Sequence, residues 1–310
     1  MRIVVVGAGA VGCYFGGRLA EAGHEVGFLA RGGTLAVLRE SGLRITSQLG
    51  DAHLRDVEVH DDPEAFAEAD AAIVAVKAWQ VPDVAPKIAA FLRPGGVALP
   101  LQNGVEAPAQ LAEELGEDRV LGGLCKIICR VEEPGHVIHF GAHPYIALGE
   151  LHDRSSERLT ALRDTLESAG IRAEIPGNIE AAMWEKFLFI CAVSGLGAVT
   201  RATLGAMRRE PATRSLLERA MHEIAEVASA SGVSVAGGLV ERTMAFADSL
   251  PAEATMSMQR DIMKGRPSEL ESQNGAVVRL GRRAGVETPV HEFLYSVLLL
   301  QEDKARSAAS

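Results

Sequence analysis

The chain has 310 residues, 47% of them hydrophobic and 23% charged, with a formal net charge of −10 and a pI near 5.5. At roughly 100 to 200 residues per domain this length suits two domains, and the apolar content excludes a disordered chain. The acidic balance, with no basic stripe in any segment, excludes a nucleic-acid backbone as partner and leaves a small molecule as the expected ligand.

In chain order, the first half alternates short β-branched runs with longer helical patterns. Strands are expected at Arg2–Val6, His24–Leu29, Ala71–Val76, Gly96–Leu101 and Val120–Leu124, which reads as a parallel sheet with crossover helices. Val137–Phe140 and Tyr145–Leu148 flank Gly141-Ala142-His143-Pro144, a hairpin signal that would close the sheet with antiparallel strands. A helix over Ser155–Ala169 and a strand at Arg172–Ile175 complete this half. From Pro176-Gly177 onward the pattern is helical, near Ile179–Val193, Pro211–Ser231, Gly237–Ser249, Pro267–Ala284 and Pro289–Glu302, with Lys304–Ser310 as a frayed tail. The expected fold is therefore α/β, with a Rossmann-type dinucleotide-binding domain over 1–175 and an all-α domain over 176–310.

The chain starts directly on a strand rather than on an apolar leader, which predicts a cytoplasmic protein. Its longest apolar run, Phe187–Val199, is shorter than the roughly 20 residues of a bilayer span, so no membrane partner is expected. Cys13, Cys125, Cys129 and Cys191 form no CxxC pair and have no histidine at zinc spacing, which suits buried thiols and predicts no metal. Apolar positions in Leu294–Leu300 suit either a homodimer contact or internal packing.

The first motif that carries chemistry is Gly7-Ala8-Gly9-Ala10-Val11-Gly12, directly after the first strand and opening an apolar-periodic helix. In that context the three glycines have separate tasks: a tight turn at Gly7, close approach to a pyrophosphate at Gly9 and close helix packing at Gly12. The second strand runs into Ala30-Arg31-Gly32-Gly33 with no acidic residue to hold a ribose 2′-hydroxyl. Arg31 stands there instead, and a planar guanidinium suits the 2′-phosphate of NADP. Lys77 follows the Ala71–Val76 strand at its carboxyl end, on the ligand side of an open α/β sheet, where a solvated lysine would be equally ordinary.

Met183–Cys191 is apolar around almost its whole circumference, the mark of a buried helix, yet Lys186 lies in its middle. A buried ammonium is costly unless paired or used, which leaves a structural ion pair, a snorkelling side chain or a catalytic acid. Glu269 falls in the first turn of the helix opened by Pro267, where a carboxylate is favoured by the helix dipole whatever its chemistry. Asn103, in Gln102-Asn103-Gly104, follows a strand in a sequence that turn chemistry alone would explain.

Taken together, GAGAVG, VKAWQV around Lys77, LQNGVE around Asn103, the PGHVIHFG run from Pro134, the WEKF of Trp184–Phe187, and Ser257–Ile262 followed by Glu269 resemble the ketopantoate reductase (2-dehydropantoate 2-reductase) family over nearly the whole chain. The resemblance implies NADPH-driven reduction of a 2-oxo acid, 2-dehydropantoate to pantoate in pantothenate biosynthesis, in a cleft between a Rossmann domain and a helical one. It implies that Gly7, Gly9 and Gly12, with Ala8, Ala10 and Val11, meet the cofactor's pyrophosphate, and that Arg31 and Lys77 lie near the 2′-phosphate with Gln80 also at the cofactor. It further implies Asn103 beside nicotinamide and substrate, Lys186 as general acid, and Ser257 and Glu269 on the substrate's carboxylate and hydroxyl. The family carries Asn four and eight residues after that lysine; here Ile190 and Ser194 occupy those positions on the same helix face, lining a less polar substrate pocket. Alternative readings are a reductase of the same family acting on a less polar 2-oxo acid or ketone, a hydroxyacid dehydrogenase with a helical second domain, and a non-catalytic NADP-binding sensor.

Overall fold

The computed structural model describes residues 1–151 and 155–309. The strands are β1 (Arg2–Val6), β2 (Glu25–Leu29), β3 (Leu43–Ser47), β4 (Ala52–Leu54), β5 (Glu58–His60), β6 (Ala69–Val74), β7 (Leu92–Pro100), β8 (Leu121–Lys126), β9 (Cys129–Glu133), β10 (His136–His139), β11 (Tyr145–Glu150) and β12 (Arg172–Glu174). The α-helices are α1 (Ala10–Glu21), α2 (Gly32–Ser41), α3 (Val81–Phe91), α4 (Ala107–Leu115), α5 (Glu157–Ser168), α6 (Ile179–Thr200), α7 (Leu204–Arg209), α8 (Pro211–Ala230), α9 (Leu239–Ser249), α10 (Ser257–Met263), α11 (Asn274–Ala284) and α12 (Pro289–Ala309). Two compact units result: residues 1–102 with 107–179, and residues 103–106 with 180–310.

In the first unit a parallel sheet runs in the order β5-β2-β1-β6-β7. Because side chains alternate along a strand, Ile3 and Val5 of β1 join the core that contains Cys13, Phe15 and Leu19 of α1, while Val4 and Val6 join the one that contains Val81, Ile88 and Leu111 of α3 and α4. Helices thus cover both faces, and the loops after β1, β2 and β6 share the carboxyl edge where such sheets bind ligands.

The expected hairpin at Gly141–Pro144 does not form. β10 pairs antiparallel with β9 and parallel with β3, whereas β11 pairs with β8 and β12 in a different sheet. The true hairpin is β9–β10, turning at Pro134-Gly135, where Gly135 holds φ at +74°.

The second unit is helical. Trp184, Phe187, Leu188 and Cys191 of α6 pack with Leu217, Met221 and Ile224 of α8, Val240 and Met244 of α9, Val277 of α11 and Leu294 of α12. α6 is the one described helix long and apolar enough to cross a membrane, and 67% of its most apolar window is buried inside the protein. Its apolar character follows from neighbours on most of its sides. The expected frayed tail is instead the end of α12, which runs to Ala309 because Ala305 is buried and Arg306 ion-pairs with Glu302, one turn back; Ser310 lies outside the described residues. The expected single helix over Pro267–Ala284 begins only at Asn274.

Candidate functional site

The glycine loop shows why each of its residue types is required. Gly7 has φ +103°, and a Cβ there would stand 2.8 Å from the Val76 amide nitrogen. At Gly12 a Cβ would lie 2.0 Å from the Gly7 carbonyl oxygen and 3.2 Å from Ala75 Cβ, so glycine alone lets α1 pack this close to β1 and β6. Gly9 is exposed and has nothing within 4 Å of the Cβ position, which leaves open space against the main chain. Gly9 is also the N-cap of α1, with no side chain capping it and no acidic residue in the first turn. The first-turn N–H groups of Ala10, Val11 and Gly12, together with the positive end of the helix dipole, form an anion cradle that fits a dinucleotide pyrophosphate.

β2 and β6 flank β1 on opposite sides, so Arg31 and Lys77 bracket this loop along the sheet edge. Arg31 is exposed at the N-cap of α2, with extended backbone at φ −141° and ψ 165°. Lys77 is exposed too, its ammonium 5.8 Å from the Trp79 ring centroid. Gln80 closes the turn back onto Lys77: the Lys77 N–H donates to Gln80 Oε1 at 3.3 Å and the Gln80 N–H donates to the Lys77 carbonyl at 2.8 Å.

In the second unit, Lys186, Ile190 and Ser194 lie on one face of α6 at intervals of one helical turn. The helix is not buried all round, as its composition suggested: Glu185 is exposed, and Ala182, Lys186, Phe189 and Ile190 form a half-buried stripe. Lys186 therefore keeps access to solvent, which removes most of the desolvation cost read from sequence. Ile190 stands on the same open stripe, whereas Ser194, one turn further, is 1% exposed.

Glu269 is buried and accepts a hydrogen bond from Asn103 Nδ2 at 3.3 Å, so residues distant in sequence meet. Burial pushes the Cys191 thiol on α6 well up, and the Glu269 carboxylate adds to the shift. The position of Glu269 differs from expectation: it lies in a turn ahead of α11 rather than in a helix. Gln273 N–H donates to the Glu269 carbonyl, but Gly275 N–H reaches back five residues to Leu270, and Gln273 at φ −108° and ψ −95° interrupts the helical path. The helix-dipole explanation for this carboxylate therefore lapses. Ser257 is exposed and opens α10.

Two supports of this turn escaped sequence reading. Arg279 on α11 donates to Glu106 at 2.8 Å and to the Glu271 carbonyl at 3.3 Å, tying the segment that carries Asn103 to the one that carries Glu269. Glu302 on α12 binds Ser268, next to Glu269, through both the N–H and the hydroxyl. A signal for the second existed, since Glu302 continues the buried series Val290, Leu294 and Leu298 at four-residue steps, where a carboxylate is out of place. Among the described residues no group of three or more His, Cys, Asp or Glu side chains is set to hold a metal. Burial raises the thiols of Cys13 and Cys129 to about 12.

Family models described as ketopantoate reductase PanE/ApbA match residues 3–153 and, for the C-terminal domain, 178–302. The chain belongs to the ketopantoate reductase family. Its relatives include an uncharacterized oxidoreductase, YkpB, of Bacillus subtilis (strain 168), 32% identical over 97% of this chain and 99% of that protein. A 2-dehydropantoate 2-reductase of Halobacterium salinarum is 31% identical over the same shares of the two chains. A solved PanE/ApbA family ketopantoate reductase from Ralstonia eutropha JMP134 has a TM-score of 0.89 at 30% identity, covering 99% of this chain and all of that one. As a ketopantoate reductase family member the protein is an oxidoreductase that uses a pyridine nucleotide.

Proposed function

We propose that this protein reduces a 2-oxo acid with NADPH, and that 2-dehydropantoate, giving pantoate, is its leading substrate. The observation that carries the reading is the composition of the second unit: a half-exposed Lys186 on α6 together with a buried carboxylate, Glu269, whose oxygen is fixed by Asn103. In this reading residues 1–175 bind the nucleotide and residues 176–310, with Asn103, bind the substrate.

A bound nicotinamide supplies the hydride. As the carbonyl carbon is reduced, negative charge grows on its oxygen, and the Lys186 ammonium stabilises that charge and then donates the proton. Glu269 accepts from a substrate hydroxyl, held in the right orientation because one of its oxygens takes the Asn103 amide. Ser257 offers its hydroxyl to the substrate carboxylate. Arg31, in place of an acidic residue after β2, selects the 2′-phosphate of NADPH, with Lys77 and Gln80 beside it.

A second reading, a less polar 2-oxo acid as the natural substrate, is favoured by Ile190 on the open stripe one turn beyond Lys186. An alkyl group there cannot pair with a polar substituent. The experiment is NADPH oxidation by the wild type over a panel of 2-oxo acids: 2-dehydropantoate, its analogue lacking the hydroxyl, and acids with bulkier apolar side chains. Turnover with at least one of these is expected, and the preferred member names the substrate class. No oxidation across the panel, with NADPH still bound, would leave a non-catalytic nucleotide-binding protein.

A further inference from the structure

We infer that Glu302, on the C-terminal helix, is a positioning residue for Glu269, acting through Ser268; the inference rests on the substrate-binding role given to Glu269 above. Glu302 is 3% exposed and Ser268 fully buried. A buried carboxylate is costly unless its oxygens are satisfied, and those of Glu302 are. Ser268 N–H donates to its two oxygens at 3.0 and 3.1 Å, the Ser268 hydroxyl donates to one of them, and Arg306 Nε lies 2.7 Å from the other. Arg306 closes the ring by donating to the Ser268 carbonyl at 3.1 Å. The Ser268 N–H, hydroxyl hydrogen and carbonyl thus all end on the Glu302–Arg306 pair, through charge-assisted hydrogen bonds that tolerate little displacement, and the hydroxyl oxygen also accepts from Leu270 N–H at 3.3 Å.

This matters because of what Glu269 lacks. A residue inside a helix is placed by the hydrogen-bond ladder on both sides of it, but Glu269 lies in the non-helical turn ahead of α11. Its backbone starting point is Ser268, one peptide bond away and locked to α12. The clamp therefore sets where the Glu269 carboxylate stands relative to Asn103, and a displacement of that oxygen falls on the substrate.

α12 holds its own control. Glu223 of α8 is also buried and also binds α12, at the opposite end: it accepts from Val290 N–H at 2.7 Å and from His291 N–H at 3.0 Å, and it pairs with His291 Nδ1 at 2.8 Å. Both carboxylates anchor the helix, but only Glu302 touches the neighbour of Glu269.

The test compares Glu302→Gln with Glu223→Gln in the full-length protein, measuring Tm, the Kd for NADPH, and kcat and KM for the best 2-oxo acid of the panel. Both variants should lower Tm. Only Glu302→Gln should raise the substrate KM, by roughly tenfold, the scale of one hydrogen bond to a charged group, with the NADPH Kd unmoved. In a Glu269→Gln background the additional Glu302→Gln change should raise KM no further, since its effect passes through Glu269. Equal KM shifts in Glu302→Gln and Glu223→Gln, or a Glu302→Gln effect that persists without Glu269, overturn the positioning role. Glu269→Gln with an unchanged KM overturns the role of Glu269 itself. Should Glu302→Gln not fold, Ser268→Ala removes the hydroxyl's bond to Glu302, along with the one its oxygen accepts from Leu270 N–H, while the N–H and carbonyl arms of the clamp remain; a smaller KM rise in the same direction is expected, and an unchanged KM contradicts the inference.

Discussion

In the first unit the features that fit a dinucleotide are main chain: the φ of Gly7, the open space at Gly9, the contact at Gly12 and the uncapped first turn of α1 lie within one short stretch. In the second unit the candidate groups are side chains: Asn103, Lys186 and Glu269 come from three separate stretches of sequence, and the segments that carry Asn103 and Glu269 are held by further partners at Glu106, Arg279, Ser268 and Glu302. In the proposed reading, backbone features bind what every pyridine nucleotide shares, and side chains from distant segments determine which molecule reacts and how. Substitution in the first region should therefore change nucleotide affinity, and in the second it should change chemistry and substrate choice.

The largest separation of the two is expected at Lys186. Lys186→Ala should lower kcat by roughly two to four orders of magnitude, the usual contribution of a positioned general acid, while the protein folds, because the lysine is half-exposed. Steady-state kinetics would show it, and near-normal turnover would reduce Lys186 to a surface cation. An intermediate effect is expected at Arg31. Arg31→Ala should weaken NADPH by roughly tenfold, the low end for a charge-assisted bond at an exposed residue, and leave NADH unaffected. A wild type that uses both nucleotides equally would refute the assignment. The smallest effect belongs to Ile190. Ile190→Asn should move the ratio of kcat/KM for 2-dehydropantoate and its deoxy analogue toward the former by about 1 kcal/mol, one net hydrogen bond. An unmoved ratio would mean that Ile190 does not meet the substrate.

The same contrast accounts for what was legible in the sequence. The glycine loop could be read because its function is local: each glycine answers a steric demand made by residues beside it or on the adjoining strand. Four strands of the parallel sheet and most of the long helices were legible for a similar reason, since hydrophobic periodicity is written along each element; the short edge strand β5 was not, and the expected strand at Val120–Leu124 lies in β8 of another sheet, meeting β7 through the Ala98–Val120 bridge. The hairpin failed because β9 carries Arg130, Glu132 and Glu133 on an exposed strand with little periodicity, so the turn at Gly141 seemed to join strands that in fact lie in separate sheets. Glu269 could be named from family resemblance, but its turn could not be read, since the groups that hold Ser268 away from a helix sit on α12. Lys186 seemed buried because α6 is apolar on nearly every side, and only the tertiary packing shows which stripe stays open.

The division of labour is tested most directly by titrating NADPH into Lys186→Ala and following the same variant's turnover of 2-dehydropantoate. A wild-type Kd for NADPH is expected beside a turnover lowered by roughly two to four orders of magnitude. A turnover close to wild type, or a loss of activity explained by lost NADPH binding, would contradict it.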